Sequence, residues 1–401
     1  MAFEVRSPTA DELRAAMAAG SIAFGDELKD EDFDRHSKTM PLDRFLTAYD
    51  DGRPVGTTGA YPFRLTVPGG ELAAGGVTWV GVIPSHRRRG VLTQMMRTQL
   101  DDLHARGEPL AILWASEAAI YGRFGYGIAV PETNIDAERT KFAWRDDSAT
   151  AAAVRIVERD EARDVFPPLY DRIRREIVGF VTRNDEWWEH YKLADPEHWR
   201  RGAGPKFFAL LELDGEPAGF ATYRIKQSWE HGYSTSELRV GDAFATTTAA
   251  TRDLWSFLFG IDLIKRVHAR VDPALPLFLM VTDPRNAQLR VYEGVWLRLV
   301  DVEAALRGRS YPADDHVVAD VRDEFCPWNA GRWRLGPDAG RTEGEAELEL
   351  DVADLASVYL GAFDFRALAR ADRVRELKPG ALERATALFR TERPPYCPED
   401  F

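Results

Sequence analysis

The sequence predicts a mixed α/β chain of three domains, α+β in its C-terminal part. Helical and β signals alternate from the N-terminus, a hairpin–strand–helix order occurs twice, and the texture changes near Leu297 to short alternating strands. For 401 residues two or three domains is the natural division, and 45% hydrophobic content with 11 Trp and 21 Phe is enough to fill their cores.

Thr9-Ala10-Asp11-Glu12 has capping-box spacing and leads into LRAAMAAG, so a first helix is expected from near residue 10 to Gly20, followed by an exposed acidic stretch. RFLTAYDDGRPVGTTGAYPFRLTV reads as two β runs joined by a turn at Asp51-Gly52, and GGELAAGGVTWVGVIP as a strand closed by Pro84. In GVLTQMMRTQLDDLHARG, residues Leu92, Met95, Met96, Leu100 and Leu103 share one helical face and Gly107 ends it. AILWAS follows as a buried strand.

FLTAYDDGRPVGTTGAYPFRL, from Phe45, is echoed by FFALLELDGEPAGFATYRIKQ, from Phe207, and both continue to a strand and a helix. The shared element order favours a duplicated domain over a chance likeness of two hairpins. The second copy has DAFATTTAAT where the first has PSHRRRGVL. Whatever the arginine loop binds, only the first copy is expected to bind it.

From Leu297, LRLVDVEAALRGR, HVVADVRDEF, CPWNAGRWRLGPDAG and EAELELDVADLASVYLG make a small α+β domain. Its tail, TERPPYCPEDF, is kept extended by prolines, and is either a frayed end or an arm laid into a groove. The expected domains are residues 1–145, 146–293 and 294–401.

A formal net charge of -13 argues against nucleic acid or an anionic membrane as main partner, since both need a broad positive field; a cationic substrate fits better. Two cysteines, Cys326 and Cys397, supply no disulfide framework and read as free or buried thiols. The start lacks a basic segment followed by a long apolar one, and no window approaches the ~18 apolar residues of a membrane span. Cytoplasm is the expected compartment.

The chemistry concentrates in VTWVGVIPSHRRRGVLTQMM, Val77 to Met96. A strand ending at Pro84 and a helix starting near Gly90 converge backbone N–H groups and a helix-start dipole on one point, which attracts anions. Gly90 admits a bulky phosphate, and Arg87, Arg88 and Arg89 add forked donors matched to phosphate oxygens. A solvated basic turn is the bland alternative.

The pattern V-x-V-x-P-x-x-R-R-R-G-V-L, followed by Met95-Met96, resembles the acetyl-CoA signature of the GNAT N-acetyltransferases. The resemblance implies that Gly90, Val91, Leu92 and Thr93, with the arginines, hold the pyrophosphate, and that Val80, Gly81 and Val82 offer backbone groups to the pantetheine arm. IYGRFGYG, Ile120 to Gly127, resembles the motif whose tyrosine is the general acid, which implies that role for Tyr121. Tyr126 reads rather as core, and Ser116 and Glu117 match a cofactor-contact position, a strand-end hydrogen bond being the alternative for Ser116.

Across nearly its whole length the chain resembles the Eis family within GNAT, through VIPSHRRRGVLT, WASEAAIYGRFGYG, VWLRLVDVEAALRGR and DVADLASVYLGA. That resemblance implies tandem GNAT-like domains, the second degenerate, then a sterol-carrier-protein-like domain. It also implies acetyl-CoA as cofactor, homo-hexamers, and acetylation of several amines on aminoglycosides or similar cationic multi-amine molecules. A lysine or peptide acetyltransferase, and a lipid carrier with a vestigial acetyltransferase domain, are the competing readings. The family uses its own chain end as a base, which implies that role for the Phe401 carboxylate, with Asp400 beside it. Phe24 and Asp26 fall at family pocket positions, and His36 sits where other members have tryptophan. Trp79, Trp114 and Trp188 are further candidates for lining the acceptor pocket, with core packing the alternative for each.

Overall fold

A computed structural model describes residues 3–146 and 152–401. The chain divides into two compact units, residues 1–130 with 293–401 and residues 131–292.

In the first unit, strands β1 (Glu4–Arg6), β2 (Phe45–Asp50), β3 (Arg53–Val67), β4 (Gly70–Val82) and β5 (Leu110–Trp114) lie side by side in that order, with Arg290–Leu299 next to β5. Neighbours are antiparallel except β4 and β5. The β2–β3 turn places Asp51 and Gly52 in the left-handed region, φ 47° and 74°, as a two-residue hairpin that follows sheet twist requires. Helix α1 (Leu13–Ala23) begins with half a capping box, the Thr9 amide donating to Glu12 Oε2 at 2.8 Å. It does not stop at Gly20. A Cβ at Gly20 would stand 2.9 Å from the Trp79 ring and from Thr57 Oγ1, so this glycine serves close approach to the sheet rather than termination.

The acidic stretch after α1 contains a helix, α2 (Asp30–Thr39), that hydrophobic periodicity could not reveal, because Thr39 alone in it is fully buried. Asp30, Glu31 and Asp32 occupy its first turn, where the helix dipole favours negative charge. Helix α3 (Val91–Ala105) buries Met95, Met96, Leu100 and Leu103 against the sheet and ends before left-handed Gly107, as its pattern foretold.

The C-terminal part of this unit builds a five-stranded sheet around Val317–Arg322, antiparallel to Gly331–Leu335 and parallel to Leu348–Asp351. Every residue of its helix Val352–Tyr359 is buried. The tail is an arm rather than a frayed end: Tyr396, Cys397 and Glu399 are 5%, 2% and 1% exposed, and the Trp114 indole donates to the Glu399 carbonyl at 2.6 Å. Cys326 and Cys397 are buried thiols.

The second unit repeats the plan. Strands Phe207–Leu213 and Glu216–Lys226 form the echoed hairpin, with Asp214 and Gly215 at φ 52° and 83°. Ser236–Ala245 pairs antiparallel with the hairpin and parallel with Ile264–Arg270, and helix Thr248–Gly260 connects those two strands. Among the described residues no helix is long and apolar enough to cross a membrane.

Candidate active site

Strands β4 and β5 run parallel only from Ala74–Val77 against Leu110–Leu113. Beyond Val77, β4 pairs with β3 alone, so its other edge faces open space. A one-residue bulge lies at this point, with Trp79 at φ 57° and its carbonyl accepting from Thr57 Oγ1 at 2.7 Å. A bulge re-aims the strand, and here Val80, Gly81 and Val82 become one wall of a cleft of about 710 Å³.

The N-terminus of α3 forms the floor. Gly90 caps it at φ 86°, a conformation that favours glycine, and a Cβ there would meet nothing within 4 Å. The first helix bond to the Gly90 carbonyl is made by the Gln94 amide, so the N–H groups of Val91, Leu92 and Thr93 have no intrahelical acceptor, and no side chain caps them. Three donors and the positive end of a 15-residue helix therefore open onto the cleft.

The three arginines divide their work. Arg87 ties the loop to the fold, its Nε donating to the Val82 carbonyl at 3.1 Å and its Nη2 to the Ala23 carbonyl at 2.8 Å. Arg89 turns to Asp50 at 3.4 Å and lies over the Phe3 ring. Arg88, held left-handed at φ 61°, lines the cleft and has no ion pair among the described residues. Of the three, it alone has neither an ion pair nor a backbone acceptor among the described residues.

The far wall carries Ser116, Glu117 and Tyr121. Tyr121 starts the short turn Tyr121–Phe124 and is 4% exposed; burial, with the charge of Glu117, raises its hydroxyl to about 12. The phenol thus stays protonated at neutral pH. Tyr126 is wholly buried, as its core assignment expected, and burial drives its hydroxyl far above the usual range.

Of the acceptor-side candidates, Phe24 lines this cleft, half of its surface exposed, while Asp26 is exposed nearby in sequence. His36 and Trp79 pack edge to face, ring centroids 4.9 Å apart, and desolvation lowers the His36 imidazole to about 4, against the pull of Asp32. Trp114 and Phe401 make separate contacts around the tail: the indole holds the Glu399 carbonyl, the Phe401 ring packs on Phe63 at 5.3 Å, and Asp400 is exposed. Trp188 needs correcting. It is buried in the second unit's own aromatic core, against Tyr170 and Phe220 and under Arg183, and presents no face to a substrate.

Sequence reading missed Ala23, His86, Ile120 and Arg123, which complete the cleft lining. His86 and Arg123 lay inside motifs already singled out; Ala23 was hidden by ending α1 too early.

Family models describing an acetyltransferase (GNAT) domain match residues 4–129 and 179–299, and one describing a sterol carrier protein domain matches residues 302–398. The N-acetyltransferase Eis of Mycobacterium tuberculosis is 33% identical over 98% of both chains. The chain belongs to the Eis family of GNAT N-acetyltransferases. An uncharacterized N-acetyltransferase of Streptomyces avermitilis is 42% identical over 90% of each chain. The crystal structure of Eis1 from Mycobacterium abscessus covers 99% of this chain and 100% of its own, at 32% identity and a TM-score of 0.86. Two GNAT domains followed by a sterol-carrier domain are thus the architecture, and the chain is an acetyltransferase of the Eis type. GNAT acetyltransferases take their acetyl group from acetyl-CoA.

Proposed function

We propose that this Eis-family enzyme acetylates primary amines of cationic multi-amine small molecules such as aminoglycosides, at several positions, and that residues 1–145 hold the acetyl-CoA. One observation carries the reading: uncapped helix amides, an unpaired strand edge and a protonated phenol line one cleft. These residues fit the donor. The amides of Val91, Leu92 and Thr93 with Arg88 suit a diphosphate, Val80 to Val82 suit an amide-bearing arm, and the space at Gly90 lets backbone approach the phosphate.

Acetyl-CoA supplies a thioester carbonyl and a thiolate leaving group. Backbone N–H on the Val80–Val82 edge polarises the carbonyl, and Tyr121 Oη gives its proton to the departing sulfur. The acceptor nitrogen attacks the carbonyl carbon, the C–S bond breaks, and the amine loses a proton. An alkylammonium with pKa ~10 holds only about a thousandth of its population as free base at neutral pH, a cost of ~4 kcal/mol. The Phe401 carboxylate binds this cation and relays its proton. With an ordinary pKa near 3.5 it works by charge and desolvation rather than by basic strength.

The domain limits 146–293 and 294–401, a hexameric assembly and a cytoplasmic setting belong to the same reading, on family likeness. Its test is coenzyme A release against tobramycin, spermidine and a lysine peptide. Turnover of the first two above the peptide is expected; a preference for the peptide would move the activity to protein lysines. Extending the chain past Phe401 with an uncleaved tag should abolish most turnover, and full activity would remove the carboxylate from the mechanism.

A further inference from the structure

Behind Tyr121 lies a buried charge that acetyl transfer, as set out above, does not use. Arg298, on Arg290–Leu299, has no exposed surface, and its Nη2 donates to Asp323 Oδ2 at 2.5 Å. Asp323 is itself buried and fixed, accepting from the Cys326 amide at 2.9 Å and from Asn329 Nδ2 at 3.1 Å. Arg298 Nε and Nη1 and the Tyr126 hydroxyl have no hydrogen-bond partner among the described residues. A guanidinium stays charged when buried, at a desolvation cost of several kcal/mol, and an apolar pair of similar volume is often as stable. Stability alone gives little reason for it.

Its position gives one. A Cβ at Gly125 would stand 2.3 Å from Arg298 Nη1 and 2.9 Å from Val352 Cγ1, and one at Gly127 would stand 1.9 Å from the Ala353 carbonyl oxygen. Of the three glycines of the Tyr121–Gly127 segment, Gly125 and Gly127 therefore let it sit directly on Arg298 and on the start of helix Val352–Tyr359, while a Cβ at Gly122 would meet nothing within 4 Å. The seat is transmitted to Tyr121 through the Tyr126 amide, which donates to the Tyr121 carbonyl at 3.3 Å, and through the two rings, edge to face at 6.0 Å. Phe124, on the same turn, packs on Phe325 at 5.0 Å, two residues past Asp323.

We propose that the Arg298–Asp323 pair is a positioning device for Tyr121, by which the sterol-carrier-like part of the chain sets where the phenol points. The proposal rests on Tyr121 being the proton donor. It makes Arg298 a positioning residue, acting through the turn and touching neither substrate.

The experiment uses the full chain with Arg298→Met/Asp323→Asn, which removes both charges together and leaves no unpaired buried ion. Expected are a kcat lowered about tenfold or more, as displacement of a catalytic group gives, an acetyl-CoA Kd within about twofold of the parent, and faster amide exchange over residues 121–127. The pair variant made in a Tyr121→Phe background should lose nothing further, because the device has no other route to the chemistry. Unchanged kcat and exchange, or the same fold-loss with and without Tyr121, would overturn the proposal. If Tyr121→Phe alone leaves turnover intact, the proton-donor reading fails instead, and exchange at residues 121–127 still reports whether the pair holds the turn. Should the pair variant not fold, Arg298→Lys carries the test: it keeps a charged partner for Asp323 but has no second arm for Gly125, and parental kcat in it counts against positioning.

Discussion

Two helix starts, at Val91 and at Thr248, follow the same strand order in the two halves of a duplicated plan and are finished in opposite ways. The first leaves its amides uncapped, behind a glycine with open space above it. The second closes itself, Thr247 Oγ1 accepting from the Ala250 amide at 3.1 Å. The strands before them diverge likewise. Each carries a one-residue bulge, but where Val80–Val82 faces a cleft, the bulge of Ser236–Ala245 carries Asp242, buried and bound by Arg183 at 2.7 Å and Lys192 at 3.0 Å. The candidate binding site is a set of donors left unsatisfied by the fold, whereas the second copy satisfies the corresponding groups itself.

The largest expected effect tests the filled copy. Asp242→Ala removes the buried carboxylate that pairs Arg183 and Lys192 and should cost about 3 to 5 kcal/mol in urea unfolding, with acetyl-CoA affinity unchanged by calorimetry; a large fall in affinity would break the division of labour. Tyr121→Phe should lower kcat about 100-fold, roughly 2.7 kcal/mol, at nearly unchanged acetyl-CoA affinity. Arg88→Ala should weaken acetyl-CoA binding by about 1.5 to 3 kcal/mol, the worth of a hydrogen bond to a charged group; a loss under about half a kcal/mol would return Arg88 to solvent. Thr247→Ala, removing the second copy's self-made cap, should cost about 1 kcal/mol of stability and nothing in turnover.

The smallest effect is one of pH. An unshifted phenol near pKa 10 would leave the kcat profile at half its plateau at pH ~10. Tyr121, held protonated up to about 12, should keep kcat level through that point. A fall centred near 10 would show that the hydroxyl is better solvated in the working enzyme than its burial implies.

Much of this was legible in the chain. The Asp-Gly turns announced both hairpins because two successive left-handed residues have few sequence solutions, and α3 showed itself through apolar spacing bounded by Gly90 and Gly107. Helix α2 was not legible, since most of the side chains it half-buries, Asp32, Arg35 and His36 among them, are polar and so print no apolar stripe. Trp188 misled for a related reason: composition reports an aromatic ring but not what it packs on.

Local chemistry settled what could be settled locally: turns, caps, helix faces, the loop that gathers arginines before a helix start, and the tyrosine turn after β5. The tertiary structure decided how those pieces were spent, because that depends on partners distant in sequence. It tied Arg87 and Arg89 to the fold and left Arg88 on the cleft without an ion pair among the described residues, turned Gly20 from a stop into a contact, brought the Glu399 carbonyl of the tail to Trp114, and set Arg298 beneath Gly125, 173 residues earlier in the chain. A hydrogen bond or a charge has value only against its neighbour, and sequence order does not say which neighbour folding will supply.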